Sequence, residues 1–213
     1  MTPDYEALIE LMRARRSVRR FRPEPVPPEL VERMLEAARW APSAGNRQAH
    51  RFLAVTSAPL VASMAESVRR ATARLAENLR PDLAEQAGAY LTHFHHFEGA
   101  PLVLVAIYRT GFDLLRAVAS DSSPDLDPPG TKPVVDALAS VSAAVMNLLL
   151  AAHALGLGAC WMTGPLIAAR ELAELLQVPH GWELAALVPV GYAAEQPAEP
   201  TRRALEQLVR RVD

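Results

Sequence analysis

Six arginines, Arg13, Arg15, Arg16, Arg19, Arg20 and Arg22, fall within ten residues, with Ser17 among them. A guanidinium is a planar fork of donors that grips phosphate or carboxylate oxygens two at a time. One or two such forks and a serine hydroxyl suit a dianion. A solvated basic face and a nucleic-acid patch are the competing uses of the same residues. The net charge of −2 removes any global pull toward nucleic acid or an anionic membrane.

Other chemistry-bearing groups give weaker signals. His93, His95 and His96 form "HFHH", but without the fixed partner spacing of a histidine metal site, an ordinary partly exposed histidine group is the expectation. Cys160 is the one cysteine, so no internal disulfide forms. Lying beside Trp161 in an apolar run, it reads as an inert core thiol. "GLGACW" begins like a dinucleotide loop, yet Trp161 stands where the third glycine belongs, and a helix rather than a strand precedes it. No phosphate-binding loop of the Walker type is present, and no catalytic triad follows from spacing. The stretch "RWAPSAGNRQAHRF", residues 39–52, has little to bury. It serves either as a helix-ending turn or as a surface where Ser43, Asn46 and Gln48 offer hydrogen bonds and Gly45 lets backbone approach a flat ligand.

These residues need elements to hold them. Thr2 and Pro3 suit a helix start, and Tyr5, Leu8, Ile9 and Met12 follow at helical spacing. Pro28 opens a second helix supported by the Glu29–Arg33 pair and ending near Trp40. Residues 51–56 read as a strand, 58–89 as helix broken at Pro81, and 100–108 as a buried strand. Residues 120–133, with four prolines and three aspartates, are the clearest loop. A long apolar helix runs from about Val134 to Leu155, then a short extended piece at 158–165, a helix over 168–177, and a strand over 183–192. An extended linker leads to a short C-terminal helix or arm.

The bulk composition agrees with a single globular domain over 1–213. Half of the residues are hydrophobic and 22% are charged. Of 22 basic residues only Lys132 is a lysine, which leaves 21 arginines. Residues 137–169 carry no charged side chain and are long enough to span a bilayer. Ser140, Asn147, His153, Gly156, Gly158 and Pro165 interrupt them, and no basic cluster flanks them. A buried core helix is therefore expected. Because it is apolar on nearly all sides, it needs cover all round, some of which a second subunit can supply. The polar "TPDYE" after Met1 is not a secretory leader, and with one cysteine this predicts a reducing, cytoplasmic setting.

Three segments together resemble the nitroreductase family of flavin enzymes. They are "RRSVRRFRPEPVPPELVERMLEAARWAPSAGNRQAHRF", "MNLLLAAHALGLGACWMTG" and "PVGYAAEQPAEPTRRALEQLV". The resemblance implies an α+β fold with a mostly antiparallel sheet flanked by helices. It also implies an intertwined homodimer, with a C-terminal extension over about 193–213 embracing the partner subunit. FMN would sit at the interface, reduced by NADH or NADPH and reoxidised, in ping-pong order, by an electron-poor small molecule such as a nitroaromatic or a quinone. No side chain need act as nucleophile and no metal is implied. Arg15, Arg16, Ser17 and Arg19 match the flavin-binding "RRSxR" pattern. Arg15 and Ser17 would hold the phosphate and ribityl end, and Arg19 the pyrimidine edge. Pro42, Ser43, Ala44 and Asn46 match the segment lent by the second subunit. Met162, Thr163 and Gly164 match the turn facing the ring. Arg202 and Arg203 match the C-terminal phosphate-binding pair, with Thr201 where a lysine is common. Ala49 and His50 stand where many relatives have Pro-Trp. His95, His96, Phe97 and Phe112 are candidates for either pocket lining or packing. The family also holds flavin destructases, dehalogenases and azoline oxidases, and a flavin-storing or flavin-sensing protein is the competing reading.

Overall fold

The computed structural model describes residues 4–80, 82–110 and 133–212. The predicted loop over 120–132, Phe112, the break at Pro81 and the Thr2–Pro3 start lie outside the described residues. Helix α1 is Tyr5–Ala14, and its N-cap is Asp4, whose carboxylate accepts from the Ala7 N–H at 3.2 Å. Helix α2 spans Pro28–Arg39 with proline in its first turn, as predicted, and ends at Trp40. Strand β1 is His50–Val55, α3 is Ala58–Ala76 and α4 is Ala84–Leu91. A 3-10 segment over Thr92–Gly99 leads into β2, Leu102–Tyr108. Helix α5 is Pro133–Ala154, β3 is Gly158–Ala159, α6 is Ala169–Leu175 and β4 is Glu183–Gly191. Of the expected C-terminal helix or arm, the structure shows an arm with one 3-10 turn, Leu205–Gln207. Among the described residues little covers its apolar side chains: Leu205, Leu208, Val209 and Val212 are all at least 60% exposed.

The sheet is antiparallel throughout, in the order β1-β2-β4-β3. β2 is central and all seven of its residues are buried. Period-two alternation splits them between two cores. Leu102, Leu104, Ala106 and Tyr108 meet α2 and α5, whereas Val103, Val105 and Ile107 meet α3 and α6. Two helical layers thus sandwich one sheet, which is an α+β architecture.

Helix α5 explains the uncharged run. Val141, Ala144, Val145, Leu148, Leu149 and Ala152 recur at helical spacing and are buried on the sheet. Truncating Leu148, which is fully buried, would cost about 2–5 kcal/mol by cavity formation. By length and composition α5 could cross a bilayer, but its sheet face is packed as core. Over Val135–Ala154 only 39% is buried, with a mean hydropathy of 1.8. Among the described residues part of its apolar surface is left uncovered, Val135 and Leu138 being exposed.

Candidate functional site

The arginine segment and "GACWMTG" meet because residues 17–18 run parallel to β3. Ser17 bridges Ala159, and the Val18 N–H donates to the Ala159 carbonyl at 3.0 Å. Gly158 makes this approach possible. A Cβ there would lie 2.8 Å from the Cβ of Val18, too close for any real contact. Further along, Phe21 bridges Ala193, and the Arg22 N–H and Ala194 N–H tie the two segments together. Glu195 closes the arrangement. Its Oε1 accepts from the Arg19 N–H at 2.6 Å and the Arg20 N–H at 3.1 Å. Replacing Glu195 with alanine should therefore cost about 1–2 kcal/mol from two charge-assisted bonds. Amide exchange at Arg19 and Arg20 would quicken, whereas Glu195→Gln, which keeps an acceptor, would retain part of the protection. Equal exchange in all three proteins would contradict this.

The docking creates a cavity of ≈ 370 Å³. Arg19, Met162, Thr163 and Gly164 line it, four of the residues expected at a flavin. Tyr90, His93, Phe94 and His96 line it as well. Sequence reading placed His96 only as a candidate and missed Tyr90, His93 and Phe94. The signal for two of them lies in the helix type. In a 3-10 segment residues three apart eclipse, so His93 and His96 share one face. Their ring centroids are 4.9 Å apart. Phe94 packs so closely on Gly164 that a Cβ there would fall 2.4 Å from its ring.

The arginines divide by role. Arg16 donates to the carbonyls of Arg13 and Arg15, satisfying the end of α1, and reaches Glu199 at 4.0 Å. Arg15 has a buried Nε without a hydrogen-bond partner among the described residues. A buried cationic donor left unpaired is costly, and an anion is what would satisfy it. Arg15 and Arg16 lie close to His153, whose pKa is held down first by burial and then by their two charges. Cys160 is buried, and burial pushes its thiol pKa up against the pull of Arg19, the Ser17 hydroxyl and Arg15. It is no thiolate nucleophile. Among the described residues no three His, Cys, Asp or Glu gather to hold a metal ion.

The remaining expected residues are elsewhere in the chain. Ser43 and Ala44 sit over the N-terminal end of α5, where the Ala44 N–H donates to Ser140 Oγ at 3.1 Å. Ser43 Oγ accepts from the Gln48 N–H at 3.0 Å. Gly45, Asn46 and Gln48 all have positive φ, of 57°, 51° and 48°. Such a run of left-handed residues costs energy and marks a shape that is held, not a slack connector. Ser140 and His153 are 13 residues apart on α5, about 20 Å along its axis. The Pro42–Asn46 loop therefore does not reach the Arg15 end of its own chain, and none of its residues lines the cavity. Arg202 donates to the Thr201 carbonyl and borders a groove with Met12 and Arg13, while Arg203 is exposed.

A sequence model described as "Nitroreductase family" matches residues 12–192. The Bacillus subtilis (strain 168) protein YfhC, which carries the name of an NAD(P)H nitroreductase, is 26% identical over 91% of this chain and 88% of its own length. A 5,6-dimethylbenzimidazole synthase of Rhodospirillum rubrum is 30% identical over 90% of this chain and 84% of its own. The crystal structure of an iodotyrosine deiodinase bound to FMN and 3-iodo-L-tyrosine superposes with a TM-score of 0.74. It is 28% identical and covers 97% of this chain and 98% of its own.

Proposed function

The chain belongs to the nitroreductase family, and from that premise we propose that it is an FMN-dependent oxidoreductase passing hydride from NADH or NADPH to an electron-poor small molecule. The observation that carries the proposal is the docking of residues 15–19 beside β3. It sets Arg19 and the Met162–Gly164 turn around one cavity and leaves Arg15 with a buried donor unpaired among the described residues. These residues fit FMN: a cationic donor for a phosphate, a hydroxyl beside it, and a cation next to a cavity with aromatic walls. FMN, when bound, supplies the two-electron chemistry, taking hydride at N5 and giving it up again.

The chain's own part is binding, orientation and electrostatics. Arg15 and Ser17 hold the phosphate and ribityl end, and Arg19 places positive charge at the pyrimidine edge, where reduction adds negative charge. The Met162 N–H is committed to the Leu187 carbonyl at 2.9 Å. A donor to the ring from this turn is therefore Thr163 or Gly164. Pro42, Ser43, Ala44 and Asn46 act on the flavin of a second subunit, since they lie far from their own chain's cavity. The uncovered face of α5 and the exposed apolar side chains of the C-terminal arm supply the apolar surface that such a homodimer buries. In the dimer the arm over 193–213 would bring Arg202, with Arg203, to the phosphate. The relatives' names differ in substrate, so specialised acceptors, as in synthase or deiodinase types, are the second reading.

Purified protein is expected to be yellow, to release FMN on denaturation, and to bleach when mixed with NADH or NADPH without oxygen. FMN that binds but stays oxidised would leave a flavin-storing or flavin-sensing protein. Colourless protein that cannot be reconstituted would end both readings. Light scattering is expected to give a dimer; a monomer that binds FMN would contradict the shared site.

A further inference from the structure

We propose that His96 is a redox-linked proton carrier of this site, neutral beside oxidised flavin and taking a proton from water when the flavin gains negative charge. The inference rests on the FMN reading above and adds a role for a wall of the cavity that the reading leaves without one.

The geometry sets His96 among two further histidines and an arginine, with one carboxylate acting on it. His96 lines the cavity with His93 and Arg19. The ring of His93 lies 4.9 Å away and that of His95 6.2 Å away, both edge-on. His95 Nδ1 is itself buried without a partner among the described residues. Tyr90 of α4 and the neutral Cys160 thiol complete the titratable lining. The carboxylate that acts on His96 is that of Glu195, and it is already held by the Arg19 and Arg20 N–H groups. Burial, then the charges of His93, His95 and Arg19, hold the His96 pKa below its ordinary value, and Glu195 only partly offsets them. The imidazole is therefore neutral near pH 7.

A hydride brings two electrons and one proton. Without a second proton, the reduced flavin carries one more negative charge than the oxidised form. Arg19, whose charge acts on His96, draws that negative charge into the cavity the two residues share. An anion at this position opposes both the burial and the repulsion that kept His96 neutral and raises its pKa. The balance is then complete. NAD(P)H loses hydride, the flavin gains it, and His96 gains H⁺ from water. The acceptor later takes the hydride from the flavin and the proton from His96, and leaves reduced by two electrons and two protons.

The test reads protons rather than turnover. The midpoint potential of the holoprotein is measured from pH 6.5 to 8, where its slope counts the protons taken up per two electrons. Two are expected for the wild type and one for His96→Gln, with the reduced flavin showing the anionic absorption spectrum in both. His93→Gln, which removes a repelling neighbour, should move the two-proton window to higher pH. Equal slopes in wild type and H96Q would overturn the proposal while leaving FMN binding intact. A protein that binds no FMN would overturn the underlying reading and this one with it. Should H96Q lose its flavin, nitrogen NMR of the wild-type imidazoles decides. His96 must pass from neutral to charged on reduction, and an unchanged His96 refutes the role.

Discussion

Arg15→Ala should weaken FMN binding by roughly 10- to 100-fold, corresponding to the loss of about 1.5–3 kcal/mol from a hydrogen bond to a charged group. The sign of the accompanying stability change makes the prediction sharp. In the free chain the buried Nε of Arg15 has no acceptor among the described residues. Removing it abolishes an unsatisfied donor and breaks no bond that we observe. The apoprotein should therefore melt at the same temperature as the wild type or slightly higher. The loss should show only with FMN present, as a smaller ligand-induced rise in melting temperature, because stabilisation by a ligand follows its affinity. A structural Arg15 would give the opposite pattern, with a lower melting temperature of the apoprotein and unchanged FMN affinity. Calorimetric titration and thermal unfolding with and without FMN separate the two. Arg16 makes the contrast. Its guanidinium already serves the carbonyls at the end of α1, so Arg16→Ala should lower apoprotein stability first.

That split between neighbouring arginines could not be read from the sequence, where both match the same pattern. Much of the frame could be. Pro28 and the spacing after it gave α2, the branched run gave β2, and the uncharged run gave a helix packed on a sheet, because each signal is local and periodic. What stayed hidden depends on contacts between distant residues. Ser17 and Ala159 are 142 positions apart, and no periodicity announces their pairing. "GLGACW" offered a false start as a dinucleotide loop, when its second glycine, Gly158, is there to admit Val18. "HFHH" reads as an ordinary partly exposed histidine group, and His93 is exposed while His95 and His96 are half-buried, but its place on a cavity has no signal in the sequence. The 3-10 geometry of Thr92–Gly99 turns His93 and His96 onto one face. The C-terminal segment is an arm rather than a helix because its apolar residues stay exposed among the described residues, and helical stability in proteins comes mostly from packing.

Gly158 gives the second large effect, because it couples the fold to the site. In Gly158→Ala the new methyl would meet Cβ, Cγ1 and Cγ2 of Val18 at 2.8–2.9 Å. A β-branched side chain has no rotamer that withdraws its own Cβ, so residues 17–18 must move off β3. Overpacking of this kind costs about 1–3 kcal/mol, or roughly 2–4 °C of melting temperature per kcal/mol in a chain of this length. The functional loss should exceed what instability alone predicts. The bridge that strains is the one that holds Ser17 and Arg19 against the Met162–Gly164 turn, so FMN affinity should fall even in the cold, where the protein is folded. Val18→Ala tests the mechanism. By itself it opens a void and destabilises, but in Gly158→Ala it removes both Cγ atoms from the clash. The double variant should thus be more stable, and bind FMN better, than the sum of the single losses allows. Strict additivity of the two in a double-mutant cycle would mean that the Cγ atoms of Val18, which alone the second substitution removes, are not what Gly158 accommodates. The cavity would then owe its shape to something other than this contact.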